Sequence, residues 1–229
     1  MANILLKYLE ERHVPKKTPK PKKKSGPVVT ISREYGCQGK TIANRLAKRL
    51  EDELGEHREW KVISKEILDQ AAQSLGLEPE KISYVFNFEK RGIIDDVIAA
   101  FTDKYYKSDR KIRNTFRDVI RSFGEEGHSI ILGRCGATIT RDIEKSLHVR
   151  LIAPEDIRID RIHKRLNISY KDAEKEVQEM DQKRAELRNS FAGRNIDDVD
   201  YDLIFNVGSM DDEQIVEMIL HGMKVKKII

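Results

Sequence analysis

The segment VVTISREYGCQGKTIANRLAKRL, residues 28–50, constrains this chain more than any other part of it. Its first five residues, VVTIS, are rich in Val and Ile, as suits a strand covered on both faces. Its last part begins a pattern that puts Ile42, Leu46, Leu50 and Leu54 on one face of a helix over 40–54. Between the two lies a short loop with Gly36 and Gly39, followed by Lys40-Thr41. A strand that delivers such a loop to a helix start leaves backbone N–H groups free at the positive end of the helix dipole, a natural anion site. Lys40 adds a mobile positive charge, and the Thr41 hydroxyl suits a Mg²⁺ coordination position. The phosphate-loop pattern G-x-x-x-x-G-K-[ST] wants glycine at position 34, where this chain has Glu34. That carboxylate has to turn away from a bound phosphate or pair with Arg33. An ordinary glycine-capped turn carries the same tripeptide; the strand-to-helix context is what favours a phosphate site.

Four further apolar runs of strand length follow: KVIS (61–64), HSIILG (128–133), LHVRLIA (147–153) and DLIFNV (202–207). Helical patterns lie between them, with Ile112, Phe116, Val119, Ile120 and Phe123 on one face of 110–124. Pro154-Glu155-Asp156 marks a first turn, Ser169 through Asp172 caps a long helix over 170–191, and Ser209 with Asp212 opens a last helix over 210–221. This alternation predicts a three-layer α/β fold, with a mostly parallel five-stranded sheet and helices on both faces. Residues 64–126 show no strand and are expected to form a helical insertion.

Charge divides unevenly along the chain. Residues 1–26 carry eight Lys/Arg against two acidic side chains, and the remaining 203 carry 35 against 37. The body, 27–229, is nearly neutral, which excludes a globally basic nucleic-acid-binding domain. PKKTPKPKKKSG (15–26) is too rich in proline and lysine to pack, and ILLKYLEER (4–12) before it suits a short amphipathic helix. The tail is either a solvated tether or a contact for RNA, membrane or another anionic partner. No apolar run reaches about 18 residues, and the start lacks a secretory pattern, so a soluble, cytoplasmic protein is expected. Two cysteines, Cys37 and Cys135, exclude a disulfide-rich or zinc-finger scaffold. The six histidines form no metal-spaced pair, and neither N-K-x-D nor G-x-S-x-G occurs. Cys37 stands at the helix start, where the dipole and Lys40 would favour a thiolate, but a small residue tolerated in a tight loop is the better reading. Trp60 reads as a packing residue. Tyr84, Phe86, Phe88, Phe101, Tyr105 and Tyr106 suit helix packing better than stacking on a base.

The string ISREYGCQGKTIANRLA resembles the phosphate-loop region of the cytidylate-kinase-like proteins of the nucleoside monophosphate kinase group, whose loop reads S-R-x-x-G-x-G-G-x-x-I-A. The likeness continues through SIILGRCGATI (129–139), LHVRLIAPEDIRIDRI (147–162), DQKRAELRNSF (181–191) and YDLIFNVGSMDDEQIVEMIL (201–220). It implies a P-loop phosphotransferase fold with a helical acceptor-binding region, an arginine-bearing lid over 181–197, and ATP with Mg²⁺. Carried over by position, the loop Gly36, Cys37, Gln38, Gly39, Lys40 and Thr41 would hold the donor's phosphates, with Thr41 on the metal. Arg134 would contact the acceptor nucleotide, and Arg184, Arg188 and Arg194 would brace the phosphoryl group in flight. The chain departs from the family at Gln38, where glycine is usual, and at Cys135, where aspartate follows the arginine. Ser64 and Gln70 stand near positions where cytidylate kinases carry acceptor-recognition groups. The donor half is therefore better marked than the acceptor.

Position in the fold argues separately for some of these residues. Arg134 ends a parallel strand on the edge where open α/β sheets bind ligands, although a surface ion pair would also suit it. Arg184 and Arg188 are spaced i, i+4 beside Asp181 and Glu186, a pattern a solvated helix shares. Arg194 follows Gly193 in an expected loop. The sequence thus predicts an ATP-dependent phosphotransferase acting on a small acceptor, CMP or another nucleotide. The alternative is a nucleotide-binding regulatory protein with little kinase activity, which Glu34, Gln38 and Cys135 motivate.

Overall fold

The computed structural model describes residues 26–55, 59–64, 69–70, 73 and 109–229. Five strands, β1 (Val28–Arg33), β2 (Lys61–Ile63), β3 (Ser129–Leu132), β4 (Ser146–Ile152) and β5 (Leu203–Asn206), form one sheet in the order β2-β3-β1-β4-β5. Every pairing is parallel. Each strand falls within an apolar run expected from the sequence, to within a residue or two. β1 is central, with Thr30 opposite Ile131 on one side and His148 on the other.

The helices are α1 (Gly39–Leu54), α2 (Asp109–Glu126), α3 (Gly136–Ile139), α4 (Glu155–Leu166), α5 (Tyr170–Ala192) and α6 (Asp212–Val225). Successive strand residues feed opposite faces, as the pleat requires. Val29 and Ile130 pack with Ile42, Leu46 and Leu50 of α1 and Ile215, Ile219 and Met223 of α6. Val28 and Ile131 pack with Phe116 and Ile120 of α2, Ile139 of α3 and Phe191 at the end of α5. A smaller cluster of Ile162, Ala173 and Val177 joins α4 to α5. Each fully buried side chain of this kind contributes about 1.5–3 kcal/mol. The three-layer α/β expectation holds.

Local details differ from the sequence reading. The last helix is capped by Asp211, not Ser209. Asp211 accepts from the Gln214 N–H at 2.8 Å, and the Gln214 side chain accepts from the Asp211 N–H at 3.1 Å. Ser209 is absorbed in the preceding turn, where its N–H donates to the Asn206 carbonyl at 3.2 Å. Residues 181–192 of the expected lid are the unbroken end of α5, which runs from the Ser169 cap to a left-handed Gly193 at φ +70. Trp60 is buried in the core and meets His128 edge-on at 5.4 Å. The tail over 1–25 and the aromatics Tyr84, Phe86, Phe88, Phe101, Tyr105 and Tyr106 lie outside the described residues. Among the described residues no helix is long and apolar enough to cross a membrane.

Candidate functional site

β1 and β3 are neighbours, yet the chain leaves them toward opposite faces, β1 into α1 and β3 into α3. Divergence of this kind opens a crevice at the carboxyl ends of the strands. The loop after β1 is tight. A Cβ on Gly36, at φ +92, would meet the Arg158 Cβ at 3.0 Å and its Cα at 3.1 Å, so this position requires glycine. The Cys37 N–H donates to the Glu34 carbonyl at 3.3 Å and the Thr41 N–H to the Gln38 carbonyl at 3.0 Å. The N–H groups of Gln38, Gly39 and Lys40 find no acceptor among the described residues. They are the orphan donors of a helix start, available to an anion. Lys40 and Thr41 are exposed beside them.

Glu34 turns away from this loop, but Arg33 is not its partner. Its carboxylate accepts from the Ala153 N–H at 3.2 Å and lies 3.4 Å from Arg158 Nε and 3.7 Å from Arg150 Nη2. The thiolate alternative for Cys37 fails. The side chain is buried in the core beneath the loop, and burial, reinforced by Glu34, pushes its thiol up to about 11.

The turn after β3 is strained. Gly133, Arg134 and Cys135 follow one another at φ +71, +53 and +59. For the two non-glycine residues this costs about 1–2 kcal/mol each. The turn is held by Gly133 N–H to the Ile31 carbonyl and Gly136 N–H to the Gly133 carbonyl, both 2.9 Å. It places Arg134 on a cavity of about 50 Å³ that Arg33, Arg184 and Arg188 also line. A water needs about 10–15 Å³ by this measure, so the space has room for an anion of phosphoryl size.

The stem of Arg33 runs past Gly39, and its guanidinium lies against Gly133, so the side chain spans from the phosphate loop to the Arg134 turn. None of the four arginines has a carboxylate partner among the described residues. Burial, with Arg184 and Arg134 nearby, pulls Arg33 down to about 9. Burial also lowers Arg134 and Arg184. Arg184 Nη1 donates to the Arg33 carbonyl at 3.1 Å, and Arg188 Nε is buried without a partner among the described residues. Desolvated like charges left unpaired are costly, and an incoming anion relieves that cost. Cys135 adds no compensating charge. Burial pushes its thiol up to about 12, and its Sγ lies 3.7 Å from the Leu187 carbonyl.

Arg194 is not brought to this cluster. It pairs with the buried Asp200, which Arg141 also contacts, and the Arg194 hydrogen bond holds that carboxyl well below the usual range. Arg33, at the end of β1, was missed as a site residue, although the S-R of the loop pattern marks its position. Arg158 was missed too, because its partners are distant in sequence. On the other side of the loop, Gln38, Arg161, Val207 and Met210 border an open cavity of about 390 Å³. Arg161 ties the two sides together, donating to the Val207 carbonyl at 2.9 Å and the Gly36 carbonyl at 3.5 Å. No group of three His, Cys, Asp or Glu among the described residues forms a metal site.

A central strand, glycine loop and helix in a five-stranded parallel sheet, with orphan amides at the helix start, define a P-loop NTPase-type fold of the kinase-like kind. The chain belongs to the cytidylate kinase-like family, whose sequence model matches residues 28–209. A cytidylate kinase from Archaeoglobus fulgidus is 29% identical over 162 residues, which cover 69% of this chain and 86% of that one. A uronate isomerase from Corynebacterium glutamicum is 28% identical over 130 residues, covering 56% of this chain but only 25% of that relative. Among solved structures, a protein from Eubacterium ventriosum superposes with a TM-score of 0.61 at 20% identity, over 86% of this chain and 98% of that one. That likeness bears on the fold alone.

Proposed function

We propose that this protein is an ATP-dependent phosphotransferase that moves the γ-phosphoryl group of Mg·ATP to a small acceptor, CMP or another nucleotide. The observation that carries this reading is the quartet Arg33, Arg134, Arg184 and Arg188, without a carboxylate partner among the described residues, around a small cavity beside the orphan amides of the phosphate loop. The loop Gly36–Thr41 and Lys40 would hold the donor's phosphates, with Thr41 on the magnesium. The open cavity beside Gln38 would take the donor's base and ribose. Arg134 would receive the acceptor, and Arg33 would bridge donor and acceptor. As the acceptor oxygen bonds to phosphorus and the bond to the ADP oxygen breaks, Arg184 and Arg188 would meet the charge that develops. Such catalysis is positioning and charge neutralisation, with no covalent intermediate. Arg194 would have to leave Asp200 to take part.

The test is ADP release from Mg·ATP against a panel of nucleoside monophosphates, nucleosides and small phosphorylated metabolites, with a no-acceptor control. Acceptor-dependent turnover that falls by about 10²–10⁵ in Lys40→Ala is expected. Full turnover in that variant overturns the assignment of the loop. ATP binding with a blank panel favours the regulatory alternative.

A further inference from the structure

We propose that Asp181, Arg158 and Glu34 are positioning residues: together they clamp α5 onto the phosphate loop and so set where Arg184 and Arg188 stand in the anion cavity. The inference rests on reading that cavity as the phosphoryl site. One Asp181 oxygen accepts from the Tyr35 N–H at 2.7 Å, and the other pairs with Arg158 Nη1. Arg158 is 8% exposed. Its Nε donates to the Ala153 carbonyl at 3.0 Å and its Nη1 to the Tyr35 carbonyl at 3.4 Å. Glu34 completes the ring of contacts, 3.4 Å from Arg158 Nε and 3.2 Å from the Ala153 N–H. Tyr35 is therefore held by both polar groups of its backbone, its N–H by α5 and its carbonyl by α4. The Arg184 guanidinium lies over its ring at 5.1 Å.

Charge separates the two roles. Arg158 is balanced by two carboxylates and does not line the cavity, whereas the four arginines that do line it have none among the described residues. A guanidinium already neutralised and buried is spent on holding structure and is not free to take an anion. Asp181, Arg184 and Arg188 stand at i, i+3 and i+7, on one face of α5. Fixing Asp181 to Tyr35 thus fixes the rotation and height of the two arginines that follow it. A misplacement of about 1 Å at such groups can cost about a hundredfold in rate. Glu34, out of place in a standard phosphate loop, is on this account the outer strut of the clamp.

The experiment uses the full chain and inorganic phosphate as the probe, at fixed ionic strength. Asp181→Asn keeps the shape and removes the charge. It should weaken phosphate binding by about tenfold or more and speed hydrogen exchange at the Tyr35 amide. With any active acceptor it should lower kcat more than the KM for ATP. Asp181→Glu should recover part of the loss. If Asp181→Asn fails to fold, Glu34→Gln takes its place, with a smaller loss in the same direction. A variant that only lowers the unfolding midpoint, with phosphate affinity and Tyr35 exchange unchanged, overturns the clamp. Failure of wild-type protein to bind phosphate overturns instead the reading of the cavity.

Discussion

At Gly133 a Cβ would collide with the Arg33 guanidinium, and the backbone there is already left-handed at φ +71. Gly133→Ala should therefore cost about 1–2 kcal/mol of stability, read as a lower urea midpoint. It should also push Arg33 aside and weaken inorganic phosphate binding, which titration calorimetry would measure. Wild-type affinity in that variant would remove Arg33 from the site. The cysteines make a second residue-scale prediction. With their thiols pushed up to about 11 and about 12, both are protonated near neutrality, and both are buried. Iodoacetamide at about pH 8 should alkylate neither in the native protein and both after unfolding, as mass spectrometry would read. Sequence placed Cys37 correctly at a helix start but not its direction. A side chain that points beneath a loop and one that points into its mouth have the same spacing.

Elements were more legible than residues, because strand and helix periods are written in local order. The Val/Ile runs located β1 to β5, and the Ser169 signal located the start of α5. α3, with four residues, is too short to show a period, and its existence depends on how Gly136 packs on the sheet, where a Cβ would meet Ile131 Cγ2 at 2.9 Å. Arg194 after Gly193 has the local sequence of a mobile loop, but the buried Asp200 that captures it becomes its neighbour only in the folded chain. The same holds for Arg158, whose partners Glu34 and Asp181 come from either side of it in the chain. α5 gives a prediction that separates stability from site geometry. Ser169 Oγ accepts from the Asp172 N–H at 3.1 Å, and Ser169→Ala should cost about 1 kcal/mol. This cap lies about 18 Å along the helix from Asp181. Phosphate affinity per folded molecule should therefore stay at the wild-type value, in contrast to Asp181→Asn.

At the scale of the whole molecule, the seam between β1 and β4 buries an imidazole that should make stability depend on pH. His148 is 6% exposed, with Nδ1 2.8 Å from Thr30 Oγ1 and Nε2 3.3 Å from Ser146 Oγ. Its backbone N–H donates to Asp202, which also pairs with Lys226 at 2.8 Å. Burial pushes the imidazole down to about 4 from the ordinary 6.5; Asp202 opposes the shift, and Lys226 and Arg141 reinforce it. Above the ordinary value both folded and unfolded chains hold a neutral ring, and the full stability is present. Between the two values the unfolded chain binds the proton and the native one does not, so stability falls as pH falls. Below the folded value both are protonated and the effect is spent. The whole excursion is of the order of 3 kcal/mol. Asp200, held well below the ordinary carboxylate range by Arg194, titrates at more acid pH and does not obscure this window. Urea midpoints should drop between about pH 7 and pH 5 in the wild-type protein and much less in His148→Gln, whose amide cannot take up the proton. The seam joins the central strands of the only sheet among the described residues. Between the two values native His148 stays neutral and the proton is taken up only by the unfolded chain, so the dependence should appear in global unfolding and not in local fraying. Equal slopes in the two proteins would place the acid sensitivity outside the β1–β4 seam.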